Sequence, residues 1–182
     1  SPSERNSPYA NSGIVVEIKP EDLIKFSTSG ELAGIEFQKE LEREAWKNGG
    51  HTQRAPAQRL TDFVSGESSG TLPKVSYFPG VTSSPIHSWL PKAIGRRLRD
   101  SFRLFGHTMN GYLTNEAVVL GVESRTSSPV RIPRDPVKMH HIRISGLYPC
   151  GEGSGYAGGI VSSAVDGMRA AEAINQKISG IS

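Results

Sequence analysis

The sequence predicts an α+β fold derived from an α/β arrangement: a mixed-strand domain, then a C-terminal strand, glycine turn and helix. Three observations carry this expectation. Residues 31–47 and 91–105 place apolar side chains at helical spacing. Residues 14–18 and 117–122 are β-branched runs that read as strands. The stretch from Gly146 to Ile174 reads as a short strand, a turn, and a long helix of small residues, with six glycines between Gly146 and Gly159.

Whole-chain properties bound the possibilities. At 182 residues the chain is long enough to bury a core as one domain, or as one domain with a small annex. With 36% hydrophobic and 21% charged residues it reads as globular rather than disordered. The net charge of +3, from 21 basic and 18 acidic residues, permits an anionic ligand but is far from the footprint of a dedicated nucleic-acid binder. One cysteine excludes an internal disulfide and a cysteine zinc cluster, and fits a reducing compartment. No apolar run reaches transmembrane length. The start at Ser1-Pro2, without methionine or a signal-like segment, reads as a cut or processed end.

In chain order, residues 1–12 are polar and turn-like, with Pro2 and Pro8. The run Ile14-Val-Val-Glu-Ile18 is nearly continuous in apolarity, so it is expected as a buried strand. Pro20 and Glu21 suit a short helical start. In the helix at 31–47, Phe37, Leu41 and Ala45 recur at i, i+4, i+8, with Trp46 flanking and the acidic residues on the wet side. Asn48-Gly49-Gly50 stops it. Residues 51–91 read as proline-, serine- and glycine-rich chain with short apolar islands, where Gln58 and Arg59 read first as surface polar groups and second as ligand contacts.

Pro91 opens the helix at 91–105, whose buried face is Ile94, Leu98 and Phe102. Arg96, Arg97, Arg99 and Arg103 read first as a solvated face and second as phosphate contacts. The strand at 117–122 feeds Glu123-Ser-Arg-Thr-Ser-Ser-Pro129. Arg125, Thr126, Ser127 and Ser128 supply one guanidinium and three hydroxyls that a carboxylate could use, or else form a polar turn. His140 and His141 are adjacent. On a strand they would face opposite ways, so no metal site is expected. His141-Ile-Arg-Ile144 alternates like a strand. Cys150 reads as an inert thiol at a strand end.

The terminal stretch carries the chemistry. Glycine admits left-handed backbone and close ligand approach, and a helix start adds unpaired N–H groups and a partial positive charge. Together they make an anion site, typically for phosphate. Gly153-Ser-Gly155-Tyr-Ala-Gly158 satisfies G-x-G-x-x-G literally. Yet only 24 residues follow Gly158, and Asp166 and Glu172 lie within the helix, so a second strand ending in a ribose-binding acid has no room. The Rossmann fingerprint is therefore rejected and the anion site kept. Glu152 would repel a phosphate aimed at it. It is better placed to accept hydrogen bonds from sugar hydroxyls, which points to a nucleotide cofactor. In the helix, Val161, Ala164, Val165, Met168, Ala171, Ile174 and Ile178 make an apolar stripe for a sheet or cofactor.

These residues resemble a family. Gly146-Leu-Tyr-Pro-Cys-Gly-Glu-Gly-Ser-Gly-Tyr-Ala-Gly-Gly-Ile-Val-Ser-Ser-Ala-Val-Asp-Gly-Met168 is similar to the C-terminal motif of a group of bacterial and plastid FAD-dependent dehydrogenases, relatives of the two-dinucleotide-domain flavoproteins. Gly121-Val-Glu-Ser-Arg-Thr-Ser-Ser-Pro-Val-Arg-Ile132, Ala33-Gly-Ile-Glu-Phe-Gln38, Ala55-Pro-Ala-Gln-Arg-Leu-Thr-Asp-Phe63 and Asn11-Ser-Gly-Ile-Val-Val16 agree with it in order. The resemblance implies a substrate-side domain over 1–145 and a C-terminal FAD-domain segment over 146–182. It implies FAD as cofactor, with Gly151 and Glu152 near the ribityl and phosphate groups. Gly158, Gly159 and Ile160 would lie near the pyrophosphate or flavin ring, with Gly153, Gly155 and Ala157 completing the turn. It puts Arg125, Thr126, Ser127 and Ser128 toward the substrate.

The family's N-terminal half, with the first FAD-binding βαβ, has no counterpart here. The expectation is thus the C-terminal portion of an FAD-dependent oxidoreductase, competent with that half in cis or in trans rather than alone, in a soluble reducing compartment such as cytoplasm or plastid. Two other readings stand beside it: a non-catalytic structural or interaction domain, and a weak basic nucleic-acid-binding module.

Overall fold

The computed structural model describes residues 6–180. The α+β class holds: several helices accompany a small mixed sheet. The turn expected around Pro2 lies outside the described residues, and residues 6–19 form neither helix nor strand. The strand expected at 14–18 therefore does not form. Val15 and Ile18 are exposed, while Ile14 packs on the core from an irregular segment. β-branched residues favour a strand only where a neighbouring strand and a buried face exist, and here neither does.

A 3-10 helix spans Pro20–Leu32, broken at Gly30, whose φ of 53° and ψ of −127° are not helical. Asp22 anchors its start by accepting the Lys19 N–H at 2.9 Å. The first α-helix, α1 (Ala33–Asn48), takes up most of the segment expected at 31–47. Phe37 and Ala45 are buried and Leu41 packs against the core, as their spacing predicts. The Gly49 N–H bonds to Ala45 O at 2.8 Å. A Cβ at Gly49 would collide with the Arg54 carbonyl oxygen, so only glycine fits that close crossing.

Three strands follow among the described residues. β1 (Ala55–Arg59) is central, β2 (Val81–Ser83) runs parallel to it, and β3 (Val118–Leu120) runs antiparallel on its other side. β1 begins Ala55-Pro56-Ala57 and reads as loop, because a proline cannot donate to a ladder. Its antiparallel register starts only at Ala57↔Leu120, and the Pro56 carbonyl accepts the Gly121 N–H at 3.0 Å, so the proline sits at the end of the β3 ladder, where its missing N–H interrupts no interior bond. α2 (Leu60–Ser65) continues directly from β1 and is closed by Gly66 in the left-handed region. α3 (Ile86–Trp89) is one turn. α4 (Lys92–Thr108) is the helix expected at 91–105, with Pro91 at its cap and Ile94 and Phe102 buried. β3 is the strand expected at 117–122, shortened to three residues.

The contacts divide the chain into two compact units. One holds the described residues up to Ile24 and Phe37–Ser124; the other holds Lys25–Glu36 and the chain from Arg125 on. The first unit has an apolar core of Leu60, Phe63, Val64, Ile86, Leu90 and Phe102. Phe63 and Phe102 meet edge to face, 5.8 Å between centroids. Gln58 is fully buried, yet satisfied: its amide donates to Glu67 O and His87 Nδ1 and accepts the His87 N–H. The α1 and post-β3 segments are joined by Gln38 Nε2 to Ser124 O at 2.9 Å and Ser124 Oγ to Glu42 at 2.6 Å.

The second unit holds the rest of the α1 start and the C-terminal region. A Cβ at Gly34 would lie 2.7 Å from the Pro129 side chain, which accounts for the glycine in the Ala33–Gln38 motif. Beyond Ser124, among the described residues, the strand expected ahead of the glycine turn is not formed. Residues 141–144 are a loop, and Arg134 and His141 make one isolated bridge. The reason is His141 itself. Its buried Nδ1 accepts the N–H groups of Arg143 and Ile144, both at 3.0 Å, which curls the chain into a turn. α5 (Ile160–Ile178) is the expected terminal helix.

Candidate functional site

The sequence concentrates small residues just before α5, and the structure folds residues 149–159 there into a closed turn. Gly151 and Gly155 have φ of 75° and 83°, a region side chains other than glycine rarely enter. Gly155 is also sterically bound. A Cβ there would sit 2.6 Å from Val130 O and 3.0 Å from the Arg131 Cα. That approach lets Ile132 N–H reach Ser154 O at 3.1 Å, while the Tyr156 hydroxyl donates to Ile132 O at 3.0 Å.

Much of the turn's hydrogen bonding is internal. The Gly155 N–H goes to Glu152 O, and the Tyr156 N–H to Gly151 O. The Gly159 N–H goes to Ser162 Oγ at 3.1 Å. The Gly151 N–H points at the Asp166 carboxylate, 2.8 Å away. The N–H groups of Ile160, Val161 and Ser162 form the first turn of α5 and have no acceptor within the helix. They are donors that the helix ladder leaves over, backed by the helix dipole.

Behind the turn lies a pair of residues that the sequence did not mark. Arg134 grips Asp166 with both terminal nitrogens, at 2.6 and 2.8 Å, and donates to Pro149 O at 2.7 Å. The two side chains are 8% and 9% exposed. The guanidinium also stacks over the Tyr156 ring, 3.6 Å from its centroid, with Arg131 near the same ring at 4.4 Å. Arg134 Nε is a buried donor with no hydrogen-bond partner among the described residues. The hydrogen bonds from Arg134, and then from Gly151, hold the Asp166 carboxyl below the usual carboxylate range against the opposing effect of burial. Asp166 in turn raises Arg134. The signal for Asp166 was present but weak: an acid among small residues, one turn before Ala170, which is buried beside it on the same face.

An open cavity of about 720 Å³ lies at the start of α5, lined by Tyr156, Gly159–Ser162, Val165, Asp166 and Arg169. Its walls combine a helix N-terminus with apolar side chains. Ile160 is 91% exposed, and Val161, Val165, Met168 and Ile178 are exposed as well. The apolar stripe expected to meet a sheet or cofactor is thus largely exposed, with Ile174 half-buried, and the buried residues of α5 are Asp166 and Ala170.

The predicted cofactor set from Gly151 to Ile160 is brought together in this turn. Glu152, Gly153 and Gly158 are exposed; Gly151, Gly155, Ala157 and Gly159 are half-buried. The predicted substrate set divides. Ser128 Oγ lies 2.8 Å from Val130 O and 3.2 Å from Gly153 O, bound to the turn itself. Arg125, Thr126 and Ser127 are exposed and do not line the cavity. Cys150 is exposed.

Other candidates have structural employment. Arg59 donates to Thr71 O, Thr71 Oγ1 and Asn115 O. On α4, Arg97 holds Asp22 bidentately at 2.7 and 3.0 Å, and Arg103 holds Asp100 and Val64 O. Among the described residues no three His, Cys, Asp or Glu side chains are placed to share a metal ion, and no helix is long and apolar enough to cross a membrane.

Comparison with known proteins gives two findings. A family model described as "FAD-dependent protein, C-terminal domain-like" matches residues 1–126. The glycine turn and α5 lie beyond those residues. A curated relative, an uncharacterized protein of Clostridium beijerinckii, is 40% identical over 175 residues, which is 95% of this chain and 32% of the relative. The chain therefore spans about a third of the length of that relative.

Proposed function

This chain belongs to the FAD-dependent protein, C-terminal domain-like, family, and from that membership we propose that it forms one wall of the flavin site of an FAD-dependent oxidoreductase. The rest of the site comes from an FAD-binding half supplied in cis or in trans, with residues 146–182 as the segment that completes it. The observation that carries the reading is the start of α5, where N–H groups without acceptors in the helix ladder, small residues and an apolar cavity wall coincide.

The residues present fit such a cofactor. A Cβ at Gly158 would meet nothing within 4 Å, and one at Gly159 only Ser162 Oγ at 3.9 Å, so both glycines leave open the space a pyrophosphate needs. The N–H groups of Ile160–Ser162 are donors suited to phosphate oxygens. Glu152 is exposed at the turn and offers acceptors to ribityl or ribose hydroxyls. Ile160, Val161 and Val165 offer apolar contact to a ring system or to the FAD-binding half.

Within the assembled protein these residues bind and orient. The helix start neutralises phosphate charge, Glu152 sets the rotation of the polyol, and the α5 stripe excludes water once covered. The bound flavin would supply hydride transfer. Arg125–Ser127 remain the chain's candidates for the substrate side.

The test is a chimera in which this chain replaces the matched third of the Clostridium beijerinckii relative. Flavin absorbance that co-purifies with the chimera, and drops when Gly158 is changed to Val, supports the reading. A folded chimera without flavin, made beside a parent that carries it, overturns it. A second reading, an interaction domain without chemistry of its own, is favoured by the exposed apolar side chains of α5. It predicts a stable, flavin-free complex of the chain with the remaining two-thirds of the relative.

A further inference from the structure

We infer that Arg134 and Asp166 are positioning residues of the cofactor site, a buried pin that sets the shape of the glycine turn from behind. The inference rests on the flavin reading above and concerns residues that act on the site through the backbone of the turn.

The geometry is specific. Asp166 is on the second turn of α5, and its carboxylate is the acceptor for the Gly151 N–H at 2.8 Å. Gly151 has φ of 75°, so its N–H direction determines where the next residue, Glu152, leaves the turn. Arg134 closes the arrangement from the other side, holding both Asp166 oxygens and, at 2.7 Å, the carbonyl of Pro149 two residues before Gly151. One carboxylate and one guanidinium thus fix the backbone on both sides of Cys150. Both also reach the cavity wall: Asp166 lines it directly, and Arg134 stacks beneath Tyr156, which lines it too.

Simple stabilisation explains this arrangement poorly. A buried ion pair contributes little net stability, because desolvation offsets the attraction. The pin moreover leaves Arg134 Nε buried without a partner among the described residues, a cost that an apolar packing of the same volume would avoid. What the pair does provide is direction. A planar fork fixes the carboxylate in one plane, and the carboxylate fixes one N–H. A ligand cradle needs that, since small misplacement of its donors lowers affinity and rate sharply. By this account Glu152 and the α5 donors are presented in register only while the pin is closed.

The experiment uses the same chimera, with Asp166→Ala, Arg134→Gln and Arg134→Lys, and reads two quantities. Amide hydrogen exchange of Gly151, measured without added flavin, reports the turn itself. The flavin dissociation constant, with the position of the flavin visible bands, reports the site. For Asp166→Ala and Arg134→Gln the expectation is faster Gly151 exchange and weaker flavin binding. Each effect is about tenfold or more, the loss of one hydrogen bond to a charged group. Exchange in β1 and α4 stays as in the parent, and Arg134→Lys, which keeps the charge but loses the fork, falls in between. Flavin binding unchanged in all three variants overturns the inference, even if exchange rises, since the pair then serves folding alone. Unchanged Gly151 exchange overturns it as well. If Asp166→Ala or Arg134→Gln does not fold, Arg134→Lys decides by the same two criteria. A parent chimera that binds no flavin overturns the flavin reading and this inference together, whereas a binding parent with equally binding variants removes the inference only.

Discussion

The two units of this chain are held by different physics. The first is built on the apolar cluster of Leu60, Phe63, Val64, Ile86, Leu90 and Phe102, with the fully buried amide of Gln58 paired. In the second, the buried set among the described residues is Gly34, Met139, His141, Pro149, Ser154, Asp166 and Ala170, mostly polar or small, while Ile160, Val161, Val165, Met168 and Ile178 of α5 are exposed. An apolar core tolerates shape variation at modest cost and is indifferent to pH. A polar framework holds one geometry closely and depends on charge. The first suits a scaffold; the second suits the placement of donors around a ligand.

The contrast can be broken from either side. The largest effect is expected for Phe63→Ala, about 3–5 kcal/mol lost from the first unit by cavity formation, read by chemical denaturation. Asp166→Ala should approach the lower end of the ~3–5 kcal/mol range for one lost partner of a buried pair. Its signature is confined to the second unit and is read by amide exchange at Gly151 and Ser154. Gly155→Ala should cost about 1–3 kcal/mol, from the left-handed backbone and the contact with Val130 O. Gly158→Ala should change stability by no more than ~0.5 kcal/mol, since its Cβ enters open space. Yet it should lower flavin retention in the chimera, which separates ligand space from structural space.

The acid response follows from sign. Asp166 is held below its unfolded value of about 3.9. Its contribution is fully present above that value and is lost as pH falls through the lower folded one. Arg134→Gln removes the main cause of the depression, so protection of the Gly151 amide should fail at a higher pH than in the unaltered chain. A transition at the same pH in both would mean that the guanidinium does not govern the carboxylate. The first unit has its own depressed acid, Asp22 against Arg97, but that pair sits outside the aromatic cluster. Loosening it should leave Phe63 and Phe102 protected.

How much of this the sequence disclosed depends on how local the cause is. α1, α4 and α5 are visible because periodicity and caps are local, and β3 because its β-branched run is bounded by Asn115 and Gly121. β1 was hidden by Pro56, whose missing N–H matters only relative to where the β3 ladder begins. The run at 14–18 misled because it has strand composition without a partner. The turn from Gly151 to Ile160 was legible, since glycine spacing before a helix has a backbone meaning by itself. The Arg134–Asp166 pin was not. Its members are 32 residues apart, one in a proline-flanked loop and one within a helix, and only the folded chain brings them within 2.6 Å.

The central claim is that the start of α5 holds the cofactor's phosphates. Hydrogen exchange at Ile160, Val161 and Ser162 in the chimera, with and without flavin, tests it most directly. The account predicts that flavin slows these three amides by about tenfold or more while exchange in β1 and α4 is unaltered. Flavin bound at full occupancy with these amides exchanging as before would contradict it.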